Sequence, residues 1–220
     1  MINMLFNGQV ALFLLIIIAL VISLSLHEWG HAFVAKLFGD ETAQRAGRLT
    51  LNPLAHIDPL GLLMLVFVGF GYAKPVPTNP RNFTSRWADL AVASAGPGMN
   101  LVVAFLGINA YVIGLRTDLA FLQGPGTRLF VIYLTTINLV LMMFNLIPLG
   151  ALDGHYILPY FLNRRAAGTY VQFNAQYGNM ALMGLMLLSM AGFPVFSFIF
   201  RTGQAILPYL VVTYSVFHMT

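Results

Sequence analysis

The sequence contains no cysteine, which excludes disulfides and thiolate metal ligands, so any metal site must use histidine and carboxylate groups. Charged residues are also scarce. They make up 8% of the 220 residues, whereas about 25% is usual for a soluble domain. Apolar residues reach 59%. A soluble fold could not cover its surface with so few charges. An integral membrane protein can, because lipid contacts its outer surface.

The basic residues form no cluster and are not interleaved with aromatic residues, so the net charge of +4 does not indicate nucleic-acid binding. We interpret them as loop charges that set membrane topology. The N-terminus has neither a basic stretch before the first apolar run nor an A-x-A-like site after it. We therefore expect that run to be retained as a membrane span.

Long apolar stretches dominate the chain, and a bilayer-crossing helix needs roughly 20 apolar residues. We predict one all-α polytopic membrane domain over residues 1–220, with about four to six transmembrane or half-crossing segments. Four stretches are long enough to span: 10–38, 90–115 with an interruption at 96–100, 129–152 with a break near Pro148, and 177–200 with Pro194 near its end.

Shorter segments lie between these stretches. Residues 60–73 are apolar but too few for a full span, which favours a half-crossing element. Three prolines within 74–80 exclude helix there. We expect short extended or β segments near 47–59 and 71–80. The pattern does not decide whether 203–217 crosses.

Basic residues in the loops predict the orientation. If 60–73 does not fully cross, eight basic residues share one side and two, Arg116 and Arg128, lie on the other. The eight would face the cytoplasm of the cell membrane, and the N-terminus would face outward. His27 then lies about 25 Å along a helix that starts at Val10, nearer the cytoplasmic side. The eight are Lys36, Arg45, Arg48, Lys74, Arg81, Arg86, Arg164 and Arg165.

The first apolar stretch contains the pattern His-Glu-Trp-Gly-His. His27 and His31 are four residues apart, so on a helix both imidazoles lie on one face, where they can bind one zinc ion. Glu28 is turned away from direct ligation but lies near a zinc-bound water. It could accept the proton of that water before attack on a peptide carbonyl.

A chance match to this short pattern is the alternative, but the apolar surroundings weigh against it. A charged carboxylate inside a membrane helix costs on the order of 3 kcal/mol unless it is paired. Ionisable residues in a span are therefore candidates for function. The pattern predicts a zinc site.

Zinc needs a third protein ligand and an open position for water. Asp153 lies at the end of the third stretch, and an exposed turn aspartate before glycine is the alternative interpretation. His155 is the rival ligand. Spacing alone does not choose between them.

Several separated motifs together resemble the site-2 protease family of intramembrane zinc metalloproteases, in its compact branch without a PDZ domain. The resemblance covers residues 26–154. Its motifs are the His-Glu-x-x-His helix, 47–61, 73–77 with 79–83, 95–100, and an N-x-x-P-x-x-x-L-D-G pattern formed by Asn145, Pro148, Leu152, Asp153 and Gly154.

The resemblance implies that Asp153 is the third ligand of one zinc ion per chain and that Glu28 is the general base. It places Asn145 near the substrate carbonyl or the developing oxyanion, whereas helix packing is the alternative. It also implies peptide hydrolysis in or near transmembrane segments, with single-pass or membrane-anchored proteins as substrates. The departures are at 149–151, where many relatives carry prolines, and at His155.

The resemblance also suggests how substrate could bind. Residues 49–53 and 71–77 could offer edges to an unwound substrate, or they could be plain surface loops. We expect His56 and Asp58 to make loop hydrogen bonds and not to bind metal. A catalytically silent membrane-protein-binding homologue is the alternative function. The residues that weigh against it are the intact His27, Glu28, His31 and Asp153. A zinc transporter is a further alternative. It would need a polar pathway through several helices, whereas the ionisable groups here form one site.

Overall fold

A computed structural model describes residues 1–69, 71–117 and 119–211. In these ranges the protein is helical, and the described residues form no strand. The α-helices are α1 (Asn3–Phe6), α2 (Val10–Leu37), α3 (Thr42–Arg45), α4 (Pro59–Val68), α5 (Ala88–Arg116), α6 (Pro125–Asn145), α7 (Gly154–Ile157), α8 (Arg164–Phe173), α9 (Asn179–Met190) and α10 (Ser197–Ile206).

Three helices, α2, α5 and α6, are long and apolar enough to cross a membrane. Each packs against the other two. Helix α2 agrees with the predicted first span to one residue, and Gly39 follows it in the left-handed region at φ 93°. The prediction of an all-α membrane fold is confirmed.

The predicted interruption at 96–100 is wrong, because α5 runs through it as one helix of 29 residues. Pro97 has no N–H to donate to the carbonyl of Ala93. Helix α5 nevertheless packs against α2 and α6, and such packing lets a membrane helix tolerate an internal proline.

The predicted third span begins and ends earlier than expected, since α6 starts at Pro125 and stops at Asn145. Pro148 lies three residues beyond its end, where it cannot break the helix. Residues 146–153 instead form turns that lead into α7. They are called the ligand loop below.

The predicted fourth span is divided. Helix α8, a π-helix at Asn174–Gly178 and α9 follow one another without a gap. Gly192 then takes φ 95° and separates this run from α10. The left-handed residue ends the helix inside the apolar stretch, which hydropathy could not reveal. Of 203–217, residues 203–210 fall in α10 and the 3₁₀ turn after it, Val211 follows that turn, and 212–217 lie outside the described residues.

Hydrogen bonds show how the three spans run. The hydrogen bonds between α2 and α5 join the C-terminal part of α2 to the N-terminal part of α5, so the two helices are antiparallel. Asn138 of α6 donates to the Ser23 hydroxyl of α2 over 2.8 Å. The C-terminal part of α2, the N-terminal part of α5 and the C-terminal end of α6 therefore meet at one end of the bundle.

The loops at this end are tied together. Helix α4 has ten residues, about 15 Å, too short for a full span, as predicted. The two segments expected to be extended meet in a single antiparallel bridge, between Ile57 and Ala73. The buried Asp40 carboxylate accepts hydrogen bonds from the backbone N–H of Asn79 (2.6 Å) and the amide of Asn82 (2.9 Å). It thereby joins the end of α2 to the loop before α5.

Candidate metal centre

Helix α2 brings two imidazoles together in the interior. His27 and His31 lie one turn apart, and both are buried. Their Nε2 atoms are 3.1 Å apart, and their rings are nearly perpendicular at 82°. Helical spacing accounts for this geometry, since residues four apart share a face.

The ligand loop brings a carboxylate to the same point. Asp153 Oδ2 lies 3.2 Å from Nε2 of His27, and Oδ1 lies 3.3 Å from Nε2 of His31. These three residues form a group that could hold one metal ion. Asp153 Oδ2 is buried without a hydrogen-bond partner among the described residues. Buried polar atoms are normally satisfied, so this oxygen calls for a ligand.

The distances fit zinc. At the usual bond lengths of about 2.0–2.2 Å, two ligand atoms of a tetrahedral zinc are about 3.3 Å apart. The two imidazole nitrogens are 3.1 Å apart, and a different oxygen of Asp153 faces each of them, at 3.2 and 3.3 Å. Two imidazoles and one carboxylate are also a known donor set of catalytic zinc, with the fourth position open to water.

Hydrogen bonds on the far side of the rings set the tautomers. Nδ1 of His31 lies 2.7 Å from the carbonyl oxygen of Val92 on α5. A carbonyl only accepts, so Nδ1 carries the proton, and Nε2 of the neutral ring keeps its lone pair for the metal. Such outer contacts orient metal-binding histidines.

Asn100 of α5 has the corresponding position next to His27. Its amide nitrogen lies 3.1 Å from Nδ1, and its buried Oδ1 has no partner among the described residues. A half-turn of the amide about its last bond brings Oδ1 to Nδ1, where it accepts the ring proton. Nε2 of His27 is then also free to bind zinc.

Small residues of α5 and α2 make room for the imidazoles. A Cβ at Gly96 would lie 2.3 Å from Nε2 of His31 and 2.6 Å from Nε2 of His27. A Cβ at Gly30 would lie 2.9 Å from the carbonyl oxygen of Ala95. Glycine is therefore required at both positions for α5 to approach the metal ligands so closely.

Glu28 is buried beside the two histidines. Its carboxylate interacts electrostatically with His31 and with the guanidinium of Arg48. Arg48 comes from the loop after α3, and burial lowers the pKa of its guanidinium. Ionisable groups buried together in this way are candidates for a functional site.

Arg48 also holds residues 73–77, which begin at the Ile57–Ala73 bridge and are called the bridged segment, close to the site. Its guanidinium donates to the carbonyl oxygen of Pro75 over 3.0 Å and to that of Lys74. The Lys74 N–H in turn donates to the carbonyl oxygen of His56 over 2.8 Å. One buried side chain thus interacts both with Glu28 and with the extended residues after α4.

The remaining candidates lie outside the metal group. Asn145 is half-buried, and its amide donates to the Leu141 carbonyl of its own helix over 3.0 Å. His155 packs against aromatic rings instead of joining the metal group, and burial lowers its pKa. His56 bonds the Thr50 carbonyl at 2.8 Å, and Asp58 caps α4. The last two are loop contacts, as predicted.

Comparisons with known proteins agree with this geometry. A model of peptidase family M50 matches residues 15–117. A proposed zinc metalloprotease of Bacillus subtilis, YwhC, is 44% identical over 148 residues, which cover 65% of this chain and 67% of the relative. The chain belongs to peptidase family M50, the site-2 protease family.

Further M50 relatives are longer proteins. A proposed zinc metalloprotease of Mycolicibacterium smegmatis, Rip2, is 36% identical over 165 residues, which cover 71% of this chain and 60% of Rip2. Rip2 of Mycobacterium tuberculosis is 33% identical over 151 residues. The chain spans less than two thirds of either Rip2 protein. No solved structure matches it.

The sequence and the family resemblance named His27, His31 and Asp153 as candidate zinc ligands. They gave no role to Gly96, Asn100 or Arg48. Signals for the first two were present. Gly96 and Asn100 are four residues apart in an apolar stretch, so they share a helix face, and Asn100 is polar within a span. The partners of Arg48 are 26 and 27 residues away, and no sequence period connects them.

Proposed function

We propose that the protein is an intramembrane zinc endopeptidase, which hydrolyses peptide bonds in or near transmembrane segments of single-pass or membrane-anchored proteins. One observation carries the proposal. The buried His27 and His31 meet the half-buried Asp153 among helices apolar enough to span a membrane, with the buried Glu28 beside them. A hydrolytic site among membrane-spanning helices suits a substrate that is itself in the bilayer.

The residues around the site have separate tasks. A zinc ion bound here would lower the pKa of a coordinated water and polarise the substrate carbonyl. Glu28 takes a proton from the attacking water and passes it to the leaving amine. Arg48 places a positive charge close to that carboxylate and holds the carbonyls of Lys74 and Pro75 near the site.

Asn145 stabilises the oxyanion in this proposal. Its amide has two N–H donors, and the bond to Leu141 uses one of them. The other is free to point at the developing negative charge, where a fixed donor lowers the barrier.

Substrate binds as an extended strand beside the bridged segment at residues 73–77. A transmembrane helix satisfies its own backbone groups, so it must unwind before cleavage and needs new partners for them. The segment after Ala73 is not helical, and its carbonyls at Lys74 and Pro75 are held by Arg48. Strand addition would give the substrate backbone the hydrogen bonds it has lost.

The metal site lies nearer the cytoplasmic side of the cell membrane in this proposal. The ligands are at the end of the bundle where α2 and α6 finish and α5 begins. Loops at that end carry eight of the eleven basic residues, and such loops face the cytoplasm.

The test compares membrane proteins from cells whose only copy is wild type or Glu28→Gln, after zinc content has been measured in both purified proteins. Quantitative mass spectrometry should find full-length single-pass or membrane-anchored proteins accumulating in the variant, which keeps its zinc. Glu41→Gln is the control, since Glu41 is half-exposed and bonds only to Arg45 over 3.0 Å. If both variants match wild type, the protein is a silent homologue and the proposal fails.

A further inference from the structure

The third zinc ligand lies on the part of the site that lacks regular structure. The ligand loop has no helix of its own, and Gly150 within it takes a left-handed conformation at φ 63°. Asp153 follows three residues later, so the two are at most about 11 Å apart along the chain. The position of Gly150 therefore limits where the carboxylate can lie.

The side chain of Asn174 holds Gly150. Its Oδ1 accepts the Gly150 N–H at 2.8 Å, and its Nδ2 donates to the Gly150 carbonyl at 3.0 Å. Both contacts are buried. One amide thus satisfies both backbone groups of a residue that no helix or strand supports, as buried polar groups require.

A local change in helix type presents Asn174 to the loop. Asn174–Gly178 form a π-helix between α8 and α9, and short π segments are frequent at functional sites. A Cβ at Gly178 would lie 2.2 Å from Oδ1 of Asn174 and 3.0 Å from the Gly150 nitrogen. The helix and the loop are thus in direct backbone contact here.

A second bond links the same helix to the start of the loop. The Tyr170 hydroxyl donates to the Pro148 carbonyl over 2.9 Å. Tyr170 and Asn174 are four residues apart and lie on one face of the helical run. This face braces the loop at two points, both ahead of Asp153.

We propose that Asn174 is a positioning residue of the zinc site: its amide fixes Gly150 so that the Asp153 carboxylate meets His27 and His31. Both hydrogen bonds described for the Asn174 side chain go to Gly150 and not to His27, His31 or Asp153. Asn174 acts through the ligand loop, so the run from α8 to α9 belongs to the metal centre although it lies outside residues 15–117 matched by the family model.

The test measures zinc affinity of the purified full-length protein by chelator competition, together with the absorption spectrum of the cobalt-substituted protein. Asn174→Ala removes both bonds to Gly150, and we expect zinc to bind about tenfold more weakly, as when outer contacts of a metal site are lost. The cobalt bands should shift, because a displaced carboxylate changes the ligand field.

Asn163→Ala is the matched control. Asn163 caps the N-terminus of α8 by accepting the Ala166 N–H over 2.9 Å, so this variant loses an asparagine contact on the same helix but none to the loop. We expect its zinc affinity and cobalt spectrum to be those of wild type. Equal weakening by the two alanine variants would mean that general helix stability is responsible, and would overturn the proposal.

Asn174→Asp tests the proposal if Asn174→Ala does not fold. The carboxylate still accepts from the Gly150 N–H but repels the Gly150 carbonyl, so we expect a smaller loss of zinc affinity and a shifted cobalt spectrum. Wild-type affinity and spectrum in a folded Asn174 variant would overturn the proposal. Neither readout involves cleavage, so a wild-type protein that binds zinc without cleaving any protein contradicts only the proposed function.

Discussion

Two parts of the molecule build the metal centre in different ways. Helix α2 supplies His27 and His31 on one face, with a spacing that the helix itself sets. The ligand loop supplies Asp153, and its conformation depends on contacts from α8 and the π-helix. The comparison shows that two ligands are encoded locally, whereas the third depends on packing between distant parts of the chain.

The largest effect should come from filling the space that α5 leaves for the histidines. Gly96→Ala would place a Cβ 2.3 Å from Nε2 of His31. Because the rings must move, we expect zinc affinity to fall by more than about 100-fold. Chelator competition on the purified protein measures this change.

Gly98→Ala is the control for that substitution. It lies two residues later in the same helix, and a Cβ there would meet nothing within 4 Å. Its zinc affinity should be unchanged. If both variants bind zinc like wild type, the close approach of α5 to the metal ligands is not required.

A second substitution is expected to lower cleavage of substrate without changing metal binding. Arg48→Met removes the bonds to the carbonyls of Lys74 and Pro75 but touches no ligand. We expect cleavage to fall about 10-fold to 100-fold, since small displacements of substrate have effects of that size. Zinc content should stay at the wild-type level.

The assay for Arg48→Met uses a membrane protein that accumulates in Glu28→Gln cells. Loss of zinc in parallel with cleavage would contradict the assignment, because Arg48 would then support the metal site itself. Unchanged cleavage would show that the bridged segment is not needed for substrate.

A third substitution tests the contact between Asn100 and His27, one of the two histidines that α2 supplies. Asn100→Leu leaves Nδ1 of His27 without a partner, and we expect zinc affinity to fall about 10-fold to 100-fold. Asn100→Asp keeps an oxygen that accepts the ring proton and should bind zinc more tightly than the leucine variant. Isothermal titration with zinc compares them, and equal affinities would argue against a role for this contact.

The change expected to affect the metal centre least lies in the loops around Asp40, and its effect is on the stability of the fold. Burial raises the pKa of this carboxyl, but hydrogen bonds from Thr42, Asn79 and Asn82 outweigh it, so its pKa lies below the usual value. A carboxylate with a lowered folded pKa stabilises the fold above its unfolded pKa, near 4, and this contribution disappears as pH falls through the folded value.

Asp40→Asn should therefore lower the free energy of unfolding by about 1–3 kcal/mol at pH 7, and less below pH 4. Thermal unfolding in detergent at several pH values measures the difference. Glu41→Gln should change stability by less than about 0.5 kcal/mol, because it breaks only an exposed pair with Arg45. A constant difference between wild type and Asp40→Asn across pH would be inconsistent with the lowered pKa.

Much of the fold and of the metal centre could be predicted from the sequence, but features that depend on packing between helices could not. Apolar length gave α2 to within one residue, and helical spacing gave the His27 and His31 pair. The resemblance gave Asp153, which spacing alone left undecided against His155. The helix breaks were harder. Pro97 lies inside α5 because neighbouring helices support it, and Gly192 ends the run through α9 by a left-handed turn.

Contacts between distant segments were beyond the sequence. Asn174 and Gly150 are 24 residues apart, and Asn100 and His27 are 73 apart. Their pairing depends on how helices pack, and no periodicity records it. Polar residues in apolar stretches mark such sites as candidates but do not name their partners.

Zinc content per chain, measured in wild type, Asp153→Ala and His155→Gln, tests the central claim most directly. The geometry predicts one zinc in wild type and in His155→Gln, because His155 packs against Tyr156 and Tyr170 outside the metal group. Asp153→Ala should lose its zinc. Retention of zinc in Asp153→Ala together with loss in His155→Gln would contradict the convergence of His27, His31 and Asp153 on one ion.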